Sequence, residues 1–118
     1  MQNPATTPKP YEYQAELIRV IDGDTYRLVI DLGFDLTLTE SVRLAAVNCP
    51  ERGTMAGYTT TAAAAEWWAQ AHNAALIRVV RYKGKYGRVV AEIHSKGKNL
   101  PTLAEWLLER GCKPYKAN

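Results

Sequence analysis

The sequence predicts a mainly β fold with added α: a five-stranded OB-type Greek-key barrel, with one helix after the third strand and another at the C-terminus. Three observations carry this reading. Three strand-like runs open the chain, one alanine- and tryptophan-rich helical run follows them, and two further strand runs precede a closing apolar stripe at helical spacing. The 118 residues suffice for one domain and are too few for two comfortable ones. With 47 % apolar residues, a core can form without staples.

Met1 to Pro10 is polar and rich in Pro and Thr, with no hydrophobic signal region, so a flexible arm over 1–10 is expected ahead of a single domain over 11–118. The first strand runs from Glu12 to Val20 and ends at Ile21-Asp22-Gly23-Asp24, whose Asp-Gly step signals a hairpin. The second, Thr25 to Leu32, alternates: Tyr26, Leu28, Ile30 and Leu32 share one face. Gly33 breaks the pattern. Leu36 and Leu38 then lead into the third strand, Ser41 to Val47, which Asn48-Cys49-Pro50 terminates because proline cannot continue a ladder.

Glu51 to Tyr58 reads as a loop and Thr59 to Asn73 as a helix, with Ala64, Trp67, Trp68, Ala71 and Ala75 at helical spacing. The two tryptophans look like a core wedge. Leu76 to Tyr82 and Gly87 to His94 form a second hairpin around Lys83-Gly84-Lys85-Tyr86. Asn99, Leu100 and Pro101 carry helix-start chemistry, Leu103, Leu107 and Leu108 supply an apolar stripe, and Gly111 is a natural stop.

No apolar run approaches the length of a membrane span. The absence of a leader implies a cytoplasmic chain, although a processed secreted chain would look the same. Cys49 and Cys112 are distant in sequence and make no disulfide framework, so free thiols are expected. The net charge of +3 says little, but its distribution says more. Between Trp67 and Ala91 there is no acidic residue, whereas Arg78, Arg81, Lys83, Lys85 and Arg88 fall there. The first half carries Asp22, Asp24, Asp31, Asp35, Glu40 and Glu51. Such a division suits a protein that holds both a cation and a polyanion, and equally a solvated strand pair.

In a barrel of this order, Asp24 opens the second strand after a tight turn, Asn48 and Cys49 end the third, and Glu51 follows in the loop. Arg43 lies on the third strand and Arg88 opens the fifth. Carboxylate, amide and carbonyl oxygens are hard ligands suited to calcium. A pair of guanidinium forks suits phosphate. Each residue alone has a plainer reading: Asp24 as a turn cap, Arg43 as a partner of Glu40, Glu51 as a solvated carboxylate, Arg88 as part of a basic turn. His72 and His94 lack zinc spacing. Tyr58, Tyr82, Tyr86 and Tyr115 could stack on bases, though strand tyrosines usually pack.

Taken together, Ile21-Asp22-Gly23-Asp24-Thr25, then Arg43-Leu44 through Val47-Asn48-Cys49-Pro50-Glu51, then Lys85-Tyr86-Gly87-Arg88 resemble the staphylococcal nuclease (thermonuclease) family in order and internal spacing. The resemblance runs from about Glu12 to Tyr115. It implies a calcium-dependent nuclease of DNA or RNA that leaves 3′-phosphate ends. Asp24 then matches a calcium-ligating aspartate, Asn48 stands where the family prototype has a second one, and Cys49 matches a backbone-carbonyl ligand. Glu51 matches the general base, and Arg43 and Arg88 the pair that grips the reacting phosphate. Lys85, Tyr86 and, across a gap, Tyr115 match substrate-binding positions. Asn48 costs the calcium shell one charge, the loop after Glu51 is short, and the prototype's last helix is missing. Two other readings remain: an OB module that binds single-stranded nucleic acid without cutting it, and a protein-interaction domain. A monomer is expected.

Overall fold

Five strands close into a barrel in the order β1-β2-β3-β6-β5, β5 returning to β1. The computed structural model describes residues 12–83, 87–97 and 99–115. The expected arm over 1–10 lies outside them. The barrel strands are β1 (Glu12–Asp22), β2 (Thr25–Gly33), β3 (Leu36–Leu44), β5 (Ala74–Arg81) and β6 (Val89–Ser95). A short outer pair, β4 (Val47–Asn48) and β7 (Lys113–Pro114), stands apart from them. Helix α1 (Met55–Gln70) joins the first three barrel strands to the last two, and α2 (Leu103–Leu108) follows β6. All barrel pairs are antiparallel except β3 with β6, whose parallel register Val42↔Val89, Arg43↔Val90, Leu44↔Ala91 closes the sheet. This is the OB-fold-like barrel the element order predicted.

Alternation along β2 buries Tyr26, Leu28 and Ile30, but Leu32 is exposed because the β2–β3 hairpin extends past the end of the core. Trp67 and Trp68 are fully buried and meet edge to face, with ring centroids 5.3 Å apart. The Trp67 indole N–H donates to Pro101 O at 2.9 Å, which ties α1 to the approach of α2. Trp106 does the reverse, donating to Ala63 O at 2.8 Å. Trp67 and Trp106 therefore tie the two helical segments together, and Trp68 meets the barrel at Tyr26, with ring centroids 5.7 Å apart.

Several boundaries differ from expectation. The third strand ends at Leu44, not Val47. Ala46 takes a left-handed conformation (φ 72°), which turns the chain out of the barrel and frees Val47–Asn48 to pair with β7. Met55 to Tyr58 is helical rather than loop, because Thr54 caps α1 by accepting the N–H of Gly57 at 2.9 Å. The helix stops at Gln70, since His72 and Asn73 are both left-handed (φ 58° and 59°) and steer the chain into β5. Helix α2 starts from Thr102 rather than from Asn99 to Pro101. Thr102 and Glu105 form a reciprocal capping box.

The largest departure concerns the cysteines: Cys49 and Cys112 form a disulfide and are not free thiols. The β4–β7 register explains it. Asn48 pairs with Lys113, so the next antiparallel position sets Cys49 against Cys112. Among the described residues no helix is long and apolar enough to cross a membrane.

Candidate functional site

The hairpin between β1 and β2 places two carboxylates at one end of the barrel. Asp22 Oδ1 accepts the backbone N–H of Asp24 at 3.1 Å, which draws the turn tight around Gly23. Tyr26, buried on the inner face, donates its hydroxyl to Gly23 O and locks the turn to the core. Burial and the adjoining Asp24 raise the Tyr26 phenol well above its ordinary pKa, so it stays a donor. This anchoring role went unread in the sequence, where Tyr26 was simply a core residue of an alternating strand.

Strand β3 brings the cation. Arg43 pairs with Thr25 across the β2–β3 ladder, and Leu44 N–H donates to Asp24 O at 2.8 Å, so Arg43 stands beside Asp24. Its Nη1 lies 3.6 Å from Asp24 Oδ2 and donates to Leu44 O at 2.9 Å and Val47 O at 3.1 Å. Its Nη2 donates to Asn48 Oδ1 at 3.4 Å. The plainer pairing of Arg43 with Glu40 does not occur: Glu40 takes Lys83. Backbone carbonyls orient the fork, and among the described residues its Nε–H makes no hydrogen bond, which leaves donor capacity for an anion.

The outer pair completes this corner. Cys49 N–H donates to Asp24 Oδ2 at 3.0 Å, so Cys49 meets Asp24 through its amide. Tyr115 N–H donates to Ala46 O at 2.9 Å, and the Arg43 guanidinium carbon lies 5.6 Å from the centroid of the Tyr115 ring. Asp24, Arg43, Asn48, Cys49 and Tyr115 thus meet in one place, although they come from four separate stretches of chain.

Glu51 follows two residues after Cys49, with its side chain exposed. Among the described residues its carboxylate makes no hydrogen bond or ion pair, while its backbone carbonyl is clasped by Thr54 Oγ1 at 2.7 Å. A Cβ on Gly57 would sit 2.0 Å from that carbonyl oxygen, so only glycine lets the first turn of α1 lie against it. Gly57→Ala should destabilise the protein by about 1–3 kcal/mol in urea denaturation, as overpacking does. Alanine's usual helix advantage of about 1 kcal/mol does not offset contact with a backbone atom that cannot rotate away. Arg88 stands half-buried just before β6, two residues ahead of Val90, the register partner of Arg43. Lys85 and Tyr86 lie outside the described residues.

Among the described residues no three His, Cys, Asp or Glu side chains gather as a metal cluster. The oxygen donors at this corner are two carboxylates and an amide: Asp24, Asn48, and Asp22, which the sequence reading did not place among the ligands. Burial, together with the hydrogen bond and charge of Asp24, raises the Asp22 carboxyl above its ordinary pKa. Two carboxylates two residues apart, one of them without a cationic partner among the described residues, fit a hard divalent cation. The sequence signal was the Asp-x-Asp spacing across the turn.

The raised pKa has a sign that can be tested. Ionised Asp22 opposes folding; this penalty is absent below the unfolded-state pKa near 3.8 and is present in full once pH rises through the higher folded-state value. Asp22→Asn should therefore melt at a higher temperature than the parent at pH 7 without metal. The gap should close as pH is lowered below 3.8.

No protein-family model matches this chain, and no curated protein matches it.

Proposed function

We propose that this chain is a calcium-dependent nuclease that hydrolyses phosphodiester bonds in DNA or RNA, leaving 3′-phosphate ends as the family resemblance implies. The observation that carries this reading is the corner where Arg43, oriented by two backbone carbonyls, adjoins Asp24 and Asn48. A guanidinium fork beside hard oxygen donors is the chemistry needed to hold a phosphodiester next to a divalent ion.

Asp24, Asn48 and Asp22 would hold calcium, with Cys49 contributing as the resemblance implies, and the ion would supply positive charge toward a phosphate oxygen and the attacking water. Glu51, exposed to solvent and unpaired among the described residues, would accept the proton of that water. Arg43 would stabilise charge gathering on the phosphate, with Arg88, one residue before the strand that pairs with β3, as the second cation. Tyr115 offers an aromatic face, already against Arg43, on which a base can stack. Lys85 and Tyr86 would contact the substrate from the β5–β6 connection. We read the active species as a monomer, the five-stranded barrel being closed. The disulfide supports work in an oxidising setting rather than in a reducing cytoplasm.

The test is cleavage of a labelled single-stranded oligonucleotide during a calcium titration. Cutting should depend on calcium and stop on addition of a chelator, with products ending in 3′-phosphate. Activity that persists in excess chelator would refute the reading. A second reading, a non-catalytic OB module for single-stranded nucleic acid, is favoured by Asn48 in place of a second carboxylate ligand and by the ion pair Arg43 makes with Asp24. Salt-sensitive binding without cutting at any calcium concentration would select it.

A further inference from the structure

We propose that the Cys49–Cys112 disulfide is the positioning element of this corner, so that its reduction detaches the Asn48–Cys49 segment while the barrel stays folded. The proposal rests on the nuclease reading only for its expected effect on calcium binding.

Val47 is buried in the core, but beyond it the segment is held otherwise by single hydrogen bonds: Asn48 Oδ1 accepts from Arg43 and Cys49 N–H donates to Asp24. Strand β4 is two residues long and pairs with a two-residue β7, both of whose residues are exposed. Pro114 also has no N–H to give that ladder. Two-stranded pieces of this size are marginal by themselves. Cys112, by contrast, is buried, and its N–H donates to Leu107 O at 3.0 Å. Leu103 and Leu107 of α2 are fully buried in the core. The covalent bond therefore links the exposed end of β4 to the chain that leaves the firmly buried α2.

The same bond touches the carboxylate turn. A Cβ on Gly23 would meet Cys49 Cβ at 3.0 Å and Cys49 Sγ at 3.2 Å, so the disulfide packs directly against the turn between Asp22 and Asp24. One residue thus supplies both the amide that fixes Asp24 Oδ2 and the sulfur that fixes the loop. On the far side, β7 carries Tyr115 to Arg43. None of the five barrel strands contains either cysteine, and their closure does not depend on β4 or β7.

Reduction needs a dithiol. Its thiolate would attack from the Cys49 side, which is half-buried, whereas Cys112 is buried. The S–S bond breaks, two electrons and two protons pass to the cysteine sulfurs, two S–H bonds form, and the dithiol closes into its own disulfide.

The experiment compares oxidised and dithiol-reduced protein by amide hydrogen exchange in NMR and by calorimetric titration with calcium ions. Expected are tenfold or faster exchange at the Cys49 and Tyr115 amides, unchanged exchange at Leu28 and Ile77 in the barrel, and a calcium Kd raised at least tenfold. Reoxidation should reverse all three changes, and Cys112→Ser should reproduce the reduced state permanently. Exchange and Kd within twofold between the two states would overturn the proposal. So would equal acceleration at every amide, because the bond would then staple the whole fold. If oxidised protein neither binds calcium nor cuts oligonucleotides, the nuclease reading fails, and the amide comparison still decides the positioning role.

Discussion

Glu51→Gln is expected to slow oligonucleotide cleavage by about 10²–10⁴-fold, the range a positioned general base contributes. Unfolding free energy should stay within about 0.5 kcal/mol of the parent, as for surface substitutions away from special features. The two halves of this expectation have separate origins. Glutamine matches glutamate in shape but cannot take a proton from water near neutral pH. The stability half follows from what holds Glu51 in place. Its link to the fold is its backbone carbonyl, which accepts from Thr54 Oγ1 at 2.7 Å and lies under Gly57. The substitution leaves those contacts intact. Single-turnover cleavage at saturating calcium, alongside urea denaturation, measures both halves. Full activity in the variant would remove Glu51 from the chemistry.

Trp67→Ala is expected to cost about 3–5 kcal/mol of stability, the range for large aromatic truncations in a packed core. Against a total of about 5–15 kcal/mol for an ordinary domain, that is enough to unfold a substantial fraction of the chain at working temperature. Trp67 is fully buried, stacks edge to face on Trp68, and gives its indole N–H to Pro101 O. Alanine leaves a cavity in the core beside Trp68 and strips that carbonyl of its donor. The site lies elsewhere, so activity should fall with the folded fraction, and activity per folded molecule should hold. Equilibrium urea melts give the first quantity, and cleavage normalised to the near-ultraviolet circular-dichroism signal gives the second. A loss below about 1 kcal/mol would mean that Trp67 does not hold α1 against Pro101 and the core as described.

Much of the barrel was legible because its signals are local. The Asp22-Gly23 step makes its hairpin from its own side chains, and Tyr26, Leu28 and Ile30 alternate because the inner face of β2 requires it. Where the sequence reading stopped short, contacts between distant segments decided the outcome. Leu32 continues the alternation, yet the core ends before reaching it. Glu51 to Tyr58 reads as a loop, but the close approach to Glu51 O demands glycine inside the first turn of α1. The disulfide depends on a register linking Asn48 with Lys113, which neither residue announces. One miss was avoidable: Thr102 and Glu105 spell a capping box, and the helix start was sought instead at Asn99 to Pro101.

The candidate site was legible in part. Asp24, Arg43, Asn48, Cys49 and Tyr115 do converge, while Arg88 is placed only by sequence, one residue before Val89, the register partner of Val42. The manner of convergence was not legible. Cys49 faces Asp24 with its N–H, Arg43 spends donors on carbonyls that appear only once Ala46 turns the chain, and Asp22 joins the carboxylate group through burial.

The outer β4–β7 pair also sets an order of events during biosynthesis. A ribosome releases the five barrel strands before Cys112 and Tyr115 leave the exit tunnel, and domains generally begin to fold from their N-terminal side. A nascent chain can therefore possess a complete barrel while the corner around Arg43 still lacks its aromatic wall and its covalent tether. On the nuclease reading, competence arrives after the fold, once Cys112 and Tyr115 have joined the barrel already formed.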